Sequence, residues 1–303
     1  MLYAIPILIG VTLLIFFLFN VVTGDPTIVL LGKHATAQQM TELKHELGLD
    51  RPLLVQYLDT LKSAFTLNFG RSWATKQPII QMIKGGAYVS LTFSVPAFVL
   101  ASILAIAIAL LAAFSRGTLL DKSLIVISVV MMSTSVLAYI LLGQWVFAYK
   151  LGWFEIAGYE YGFPDCLPYI ILPAIIWIVL SIGPDVRFYR TVMLDEIHQD
   201  YVRTARAKGL SNQVILFKHV LKNAMVPIIT NLVIQIPSLI LGALLIESFF
   251  GIPGLGNITL QAINSADFPV VKAMTILSSI FYIVFNIVTD VLYTLVDPRV
   301  QLQ

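Results

Sequence analysis

Long apolar runs recur along this chain, and no other feature restricts its fold as tightly. Residues 2–22, 88–114, 124–149, 167–182, 227–249 and 270–295 are each almost free of charge. A helix crossing a hydrocarbon core needs roughly 20 predominantly apolar residues. In lipid a spanning segment must satisfy its own backbone hydrogen bonds, as a helix does. The six runs therefore predict an all-α membrane protein of six transmembrane helices. Residues 1–22 form the first span, 23–84 the one long polar interval, and 85–303 a five-helix transmembrane domain.

The rest of the composition excludes most other classes. Hydrophobic residues make up 58% of the chain and charged residues 12%, more apolar surface than a soluble core of this length needs. The net charge of +2 carries no nucleic-acid footprint. Cys166 is alone, which rules out an internal disulfide and a cysteine-based zinc site. His34, His45, His198 and His219 are scattered without ligand spacing, and no Gly-rich loop ending in Gly-Lys-Ser/Thr is present. The chain is thus expected to hold no metal, to need no cofactor of its own and to bind no ATP by that route. A membrane-embedded enzyme fails for want of any nucleophile–base or metal constellation.

Charge between the runs sets an orientation. Arg116 and Lys122 flank one short loop, and Arg187, Arg190, Arg203, Arg206, Lys208, Lys218 and Lys222 crowd another, whereas the opposite short loops hold only Lys150 and Lys272. The positive-inside rule places the basic loops and both termini in the cytoplasm. It is counted over short loops, so the seven basic residues of 23–84 weigh little. That interval reads as a small extracytoplasmic subdomain with two helical patterns, 37–48 and 53–65, too short for an independent core of any size.

The densest signal lies in the loop 191–224, at Asp200-Tyr201-Val202-Arg203-Thr204-Ala205-Arg206-Ala207-Lys208-Gly209. Tyr201, Val202 and Ala205 fall on one helical face and the basic side chains ring the rest. Asp200 is placed to cap the start and Gly209 to end the helix in a left-handed turn, with Ser211 capping the next helix. Two turns cannot bury an apolar face alone, so a partner surface is expected, and anionic lipid is a second candidate for the basic side.

This segment resembles the "EAA" loop of bacterial ABC importer permeases, in the peptide-importer branch. The general pattern Glu-Ala-Ala, three residues, Gly reads here Arg203-Thr204-Ala205 and Gly209, a departure that the peptide branch shares. The outer loop Gly251-Ile-Pro253-Gly254-Leu-Gly256, the later Asp267-Phe-Pro-Val, the Leu-Gly-Leu-Asp-x-Pro of 47–52 and the Phe-Gly-x-Ser of 69–72 are also similar to that branch, which usually has a proline where Ser135 sits. The resemblance implies a type I ABC importer permease fold in the bacterial inner membrane. It implies a coupling helix docked on an ATPase subunit, a second homologous permease, two ABC ATPase subunits binding ATP and Mg, and an extracytoplasmic solute-binding protein near Gly251, Pro253, Gly254 and Gly256. The implied substrate is a di- or oligopeptide, with nickel chelates, glutathione and murein peptides as alternatives within the family.

Gln144, Asn231, Gln235 and Asn286 lie within apolar runs and must find partners, either by lining a translocation path or by bonding neighbouring helices. Glu247 and Asp290 fall near span ends, where water is expected to reach them. With no carboxylate evident at mid-span, a secondary transporter is the weaker reading. Pro96, Pro184, Pro227 and Pro237 are expected to kink their spans, and the stripe Ala101, Ala105, Ala109, Ala113 predicts a close helix–helix contact.

Overall fold

A computed structural model describes residues 4–19, 27, 31, 36–46 and 48–296. The described residues are almost entirely helical. In chain order the helices are α1 (Ala4–Phe17), α2 (Ala37–Glu46), α3 (Leu53–Thr66), α4 (Ile79–Phe114), α5 (Leu119–Ser133) and α6 (Val136–Gly143, running into a π-helical Gln144–Lys150). They continue with α7 (Leu167–Ile197), α8 (Asp200–Ala207) and α9, built of Asn212–Val214, a π-helical Ile215–Leu221 and Lys222–Leu241. The last three are α10 (Leu244–Phe249), α11 (Leu255–Asn264) and α12 (Phe268–Val296).

Four helical stretches are long and apolar enough to cross a membrane: Ile79–Phe114, Leu167–Ile197, Asn212–Phe249 and Phe268–Thr289. The pair α5 and α6 makes a fifth if its two halves, bent by 92°, count as one span. The first apolar run shows a shorter helix, Pro6–Phe17, and residues 20–26 lie outside the described part.

The frame is α4 against α7. Ala101, Ala105, Ala109 and Ala113 are all buried, and small side chains let two long helices approach closely. Ala105, Ala109 and Ala113 meet Val186, Tyr189 and Met193 in one core cluster. A second cluster joins Val89 and Phe93 of α4 to Ile140, Leu172, Ile176 and Phe250. The prolines are accommodated inside α4, α7 and α9, which run on through them. At the far side α1 packs on α3 and α12 through Ile15, Ala64 and Ile276, with Phe16 edge-on to Tyr57 at 5.6 Å.

The apolar runs mistake several helix limits. Ile79 opens α4 nine residues before the expected 88, because Ile79 and Ile83 are buried against α11 and α12. α7 continues to Ile197 instead of ending near 182, although its last part is polar. The expected spans at 124–149 and 227–249 are each interrupted, the second at Gly242 and not at Pro227 or Pro237. At the first break, Ser133 and Thr134 turn their hydroxyls back to the carbonyls of Val129 and Val130, at 2.8 and 3.0 Å. Thr134 and Ser135 then take extended backbone, ending one helix before the next begins. At the second, Gly242 takes φ +82 and leads into the short helix α10.

Candidate functional site

Three polar constructions stand out against this apolar frame, one at each end of the bundle and one inside it. At the end carrying most of the basic residues, α8 is held by its own sequence. Its C-terminus is a Schellman turn: Leu210 N–H donates to Ala205 O at 3.3 Å and Gly209 N–H to Arg206 O at 2.9 Å, with Gly209 at φ +77. Ser211 caps the next helix, accepting from Val214 N–H. The expected cap at Asp200 is corrected. Gln199 is the capping position, and Asp200 is the first helical residue, its carboxylate 3.4 Å from Arg203.

The apolar face of α8 is also corrected. Val202 is 0% exposed and Ala205 buried, both within this chain's own core beside Met193, Ile215 and Val220. That face is covered without any partner. The exposed face is Arg203, Thr204, Arg206, Ala207, Lys208 and Gly209, continued by Leu210, Val214 and Phe217. Half-buried Tyr201 donates its hydroxyl to the Glu196 carboxylate, and burial, together with that bond, pushes its phenol up to about 12.

The same end is tied across helices by an ion pair. Arg190 of α7 grips Asp121 of α5 with two parallel bonds of 2.7 and 2.8 Å, and Gly117 N–H adds a third at 3.0 Å. Asp121 is buried. Removing one partner of a buried pair leaves an uncompensated charge, at a cost of about 3–5 kcal/mol. Arg190→Met is therefore expected to lower the thermal unfolding midpoint in detergent markedly, and the double change Arg190→Met with Asp121→Leu to recover part of it. Equal midpoints for wild type and Arg190→Met would remove the pair from the stabilising contacts.

At the opposite end the expected outer-loop residues form one knot. Glu247, expected near water, is 0% exposed. Its carboxylate accepts from Ser90 Oγ at 2.7 Å, Ala243 N–H at 3.1 Å and Asn257 N–H at 3.1 Å. Gly242, Gly254 and Gly256 wrap it so closely that a Cβ on Gly254 would lie 2.4 Å from Glu247 Oε2. Gly251 (φ +65) turns the chain, and Gly158 N–H donates to Phe250 O at 2.8 Å, holding the 151–166 loop on the knot. Beside it, buried Asp267 accepts from Ser72 Oγ, from Trp73 N–H at 3.0 Å and from Ala74 N–H at 3.3 Å, so the polar interval before α4 is fastened to the start of α12.

Between the ends lies a group the sequence reading missed. Asp185 of α7 is 7% exposed, and its Oδ1 accepts from Asn231 Nδ2 at 3.2 Å and Gln235 Nε2 at 3.1 Å, both from α9. Asn231 Nδ2 is also 3.2 Å from the Tyr189 hydroxyl. The apolar run ends at 182, which leaves this carboxylate outside the expected fourth span. The available signal was the four-residue spacing of Ser181, Asp185 and Tyr189, one stripe of a helix. Two of the four intramembrane amides thus meet at Asp185. Gln144 is elsewhere, donating to Ile156 O and Phe249 O at 3.0 Å each, and Asn286 lies on the exposed face of α12. Among the described residues no group of His, Cys, Asp and Glu has metal-binding spacing.

Multiple long apolar helices, one pair of them sharply bent, with buried polar groups between them define a multi-pass membrane protein. Comparison with known proteins makes this specific: the chain belongs to the family of binding-protein-dependent transport system inner membrane components, which it matches over residues 105–302. Residues 1–95 match the N-terminal region of such membrane components. The chain is 34% identical to a di/tripeptide transport system permease protein of Pseudomonas aeruginosa, covering 99% of this chain and 96% of that one. It is 32% identical to an oligopeptide transport system permease protein of Bacillus subtilis and 30% identical to a dipeptide transport system permease protein of Alkalihalophilus pseudofirmus, each over 99% of this chain and 97% of the relative.

Proposed function

We propose that the chain is one permease subunit of an ABC importer that moves di- or oligopeptides into the cytoplasm. The observation that carries this reading is the near-full-length similarity to permeases whose names specify di/tripeptide, dipeptide and oligopeptide transport. In the full reading the chain crosses the membrane six times, with 1–22 as the first span and 23–84 as an extracytoplasmic subdomain. It pairs with a second, similar permease, and two ATPase subunits supply ATP and Mg chemistry. A solute-binding protein delivers peptide to the Glu247 knot and the loop that Gly251, Pro253, Gly254 and Gly256 shape.

The exposed basic face of α8 is the part that meets an ATPase subunit. Its support is physical: the helix is short, its apolar side is anchored in the core at Val202 and Ala205, and its C-terminal turn is fixed by Gly209. Motion of an ATPase subunit bound there reaches α4, α7 and α9 through that one cluster. Asn231 and Gln235 border the path, and Gln144 and Asn286 complete its lining where the second permease closes against this chain. Reconstitution of the chain with its partner subunits should give ATP-dependent, binding-protein-dependent uptake of a labelled dipeptide; no uptake of any di- or oligopeptide would overturn the reading.

Orientation has its own test. Cys166 is buried, so a native-thiol probe is blocked. In a Cys166→Ser background, Phe163→Cys, at a site 81% exposed, should react with a membrane-impermeant maleimide in intact spheroplasts. Lys208→Cys should react only once the inner face is opened. The reverse pattern would invert the topology.

A further inference from the structure

Asp185 has a chemistry that the knot and the basic end do not absorb. It sits 18 residues into α7, about 27 Å along a helix long enough to span the membrane. Ionisable groups at such positions are costly, and by default they mark a pathway or a ligand site whose partner should be identified. Both amide donors bond Oδ1. Oδ2 makes no hydrogen bond, yet it is not among the fully sealed, unsatisfied atoms, so it keeps some accessible surface. Among the described residues no Lys, Arg or His pairs with Asp185. The charge of this carboxylate is therefore left to be met from outside the chain.

The neighbouring surface carries an apolar hollow. One turn before Asp185, Ser181 lines an open, mainly apolar hollow of about 360 Å³ together with Val136, Trp177, Leu180 and Leu244. Trp177, Ser181 and Asp185 share one stripe of α7 at four-residue spacing, and Asn231, Gln235 and Ser238 face it as a polar stripe on α9. An apolar hollow thus lies one helical turn from a carboxylate that has one oxygen without a hydrogen bond. A divalent metal would require several hard oxygen ligands, and one carboxylate among neutral amides supplies too few. A primary ammonium fits better, with three donors, one positive charge and a small radius.

We propose that Asp185, oriented by Asn231 and Gln235, receives the N-terminal ammonium of the peptide as it passes along the surface where α7 meets α9. This rests on the peptide-importer reading and deepens it. Every unblocked peptide carries that ammonium whatever its side chains, so a single acidic station serves peptides of different sequence. The carboxamide pair has a defined role: it holds Oδ1, fixing the carboxylate plane and leaving Oδ2 for the ligand.

The test uses the assembled importer in proteoliposomes, with peptide supplied as the preloaded binding-protein complex. Asp185→Asn preserves an acceptor for both amides and replaces the charged Oδ2 with a neutral NH2 donor. Uptake of a peptide with a free amino terminus should fall about tenfold or more, the scale of one charge-assisted hydrogen bond. Binding-protein-stimulated ATP hydrolysis should persist, and uptake of the N-formylated peptide should be unchanged by the substitution. Unaltered uptake of the free peptide would overturn the proposal. So would joint loss of uptake and stimulated hydrolysis, which marks a structural role, or an equal fall for free and formylated peptides, which marks a gating role. If the wild-type importer carries no peptide at all, it is the peptide reading that fails.

Discussion

Gly256→Ala is expected to remove most of the folded protein from the membrane, whereas Gly85→Ala should leave its abundance unchanged. A Cβ on Gly256 would lie 2.7 Å from both the N and the Cα of Leu244 and 3.0 Å from the carbonyl carbon of Ala243. These are backbone atoms at the start of α10, and they cannot move without displacing Glu247 three residues on. That carboxylate is the acceptor for Ser90, Ala243 and Asn257, so the displacement unmakes bonds between α4, α10 and α11 together. Overpacking alone costs about 1–3 kcal/mol, and each buried donor left without its acceptor adds about 1–3 kcal/mol. At Gly85 an added Cβ meets nothing within 4 Å. Membrane abundance and thermal unfolding in detergent would measure both variants. Matching values for Gly256→Ala and Gly85→Ala would show that the knot tolerates what its geometry forbids.

The knot also marks where sequence reasoning stops. The apolar runs were legible because lipid imposes length and composition directly, and the alanine stripe was legible because helical spacing is local. The turn at Gly209 was legible for the same reason: a short helix, a glycine and the capping Ser211 are contiguous. Glu247 and Asp185 were not, because whether a carboxylate is wet depends on partners distant in sequence. Ser90 is 157 residues from Glu247, and Gln235 is 50 from Asp185. Hydropathy penalises the polar second half of α7 and ends the span early, yet that half is helical and tied in by Arg190 and Asp121. The face of α8 was misassigned on similar grounds. Spacing identifies Tyr201, Val202 and Ala205 as one face, but it does not say whether this chain or another covers it. The family motif located the segment; the packing inverted which side is free.

That inversion changes what substitutions in the segment should do. Ala205→Glu would place a charge in the core cluster of α4, α7 and α9, so it should destabilise the chain itself and report little about docking. Gly209 is the cleaner probe. Its φ of +77 is a conformation that β-branched residues rarely adopt, and nothing lies within 4 Å of an added Cβ. Any effect of Gly209→Val therefore comes from the backbone alone, through loss of the Schellman turn and a redirected Ser211. Asparagine tolerates the left-handed conformation, so Gly209→Asn should keep the turn. In the assembled importer, Gly209→Val should retain wild-type membrane abundance, because the spans and the core face of α8 are untouched. Peptide uptake should fall at least tenfold, and ATP hydrolysis should lose its stimulation by loaded binding protein, while Gly209→Asn stays close to wild type in both. Full uptake with Gly209→Val would show that the angle between α8 and α9 does not transmit the ATPase cycle. An equal loss with Gly209→Asn would show that the site needs the bare backbone, and that the exposed face meets its partner at the glycine itself.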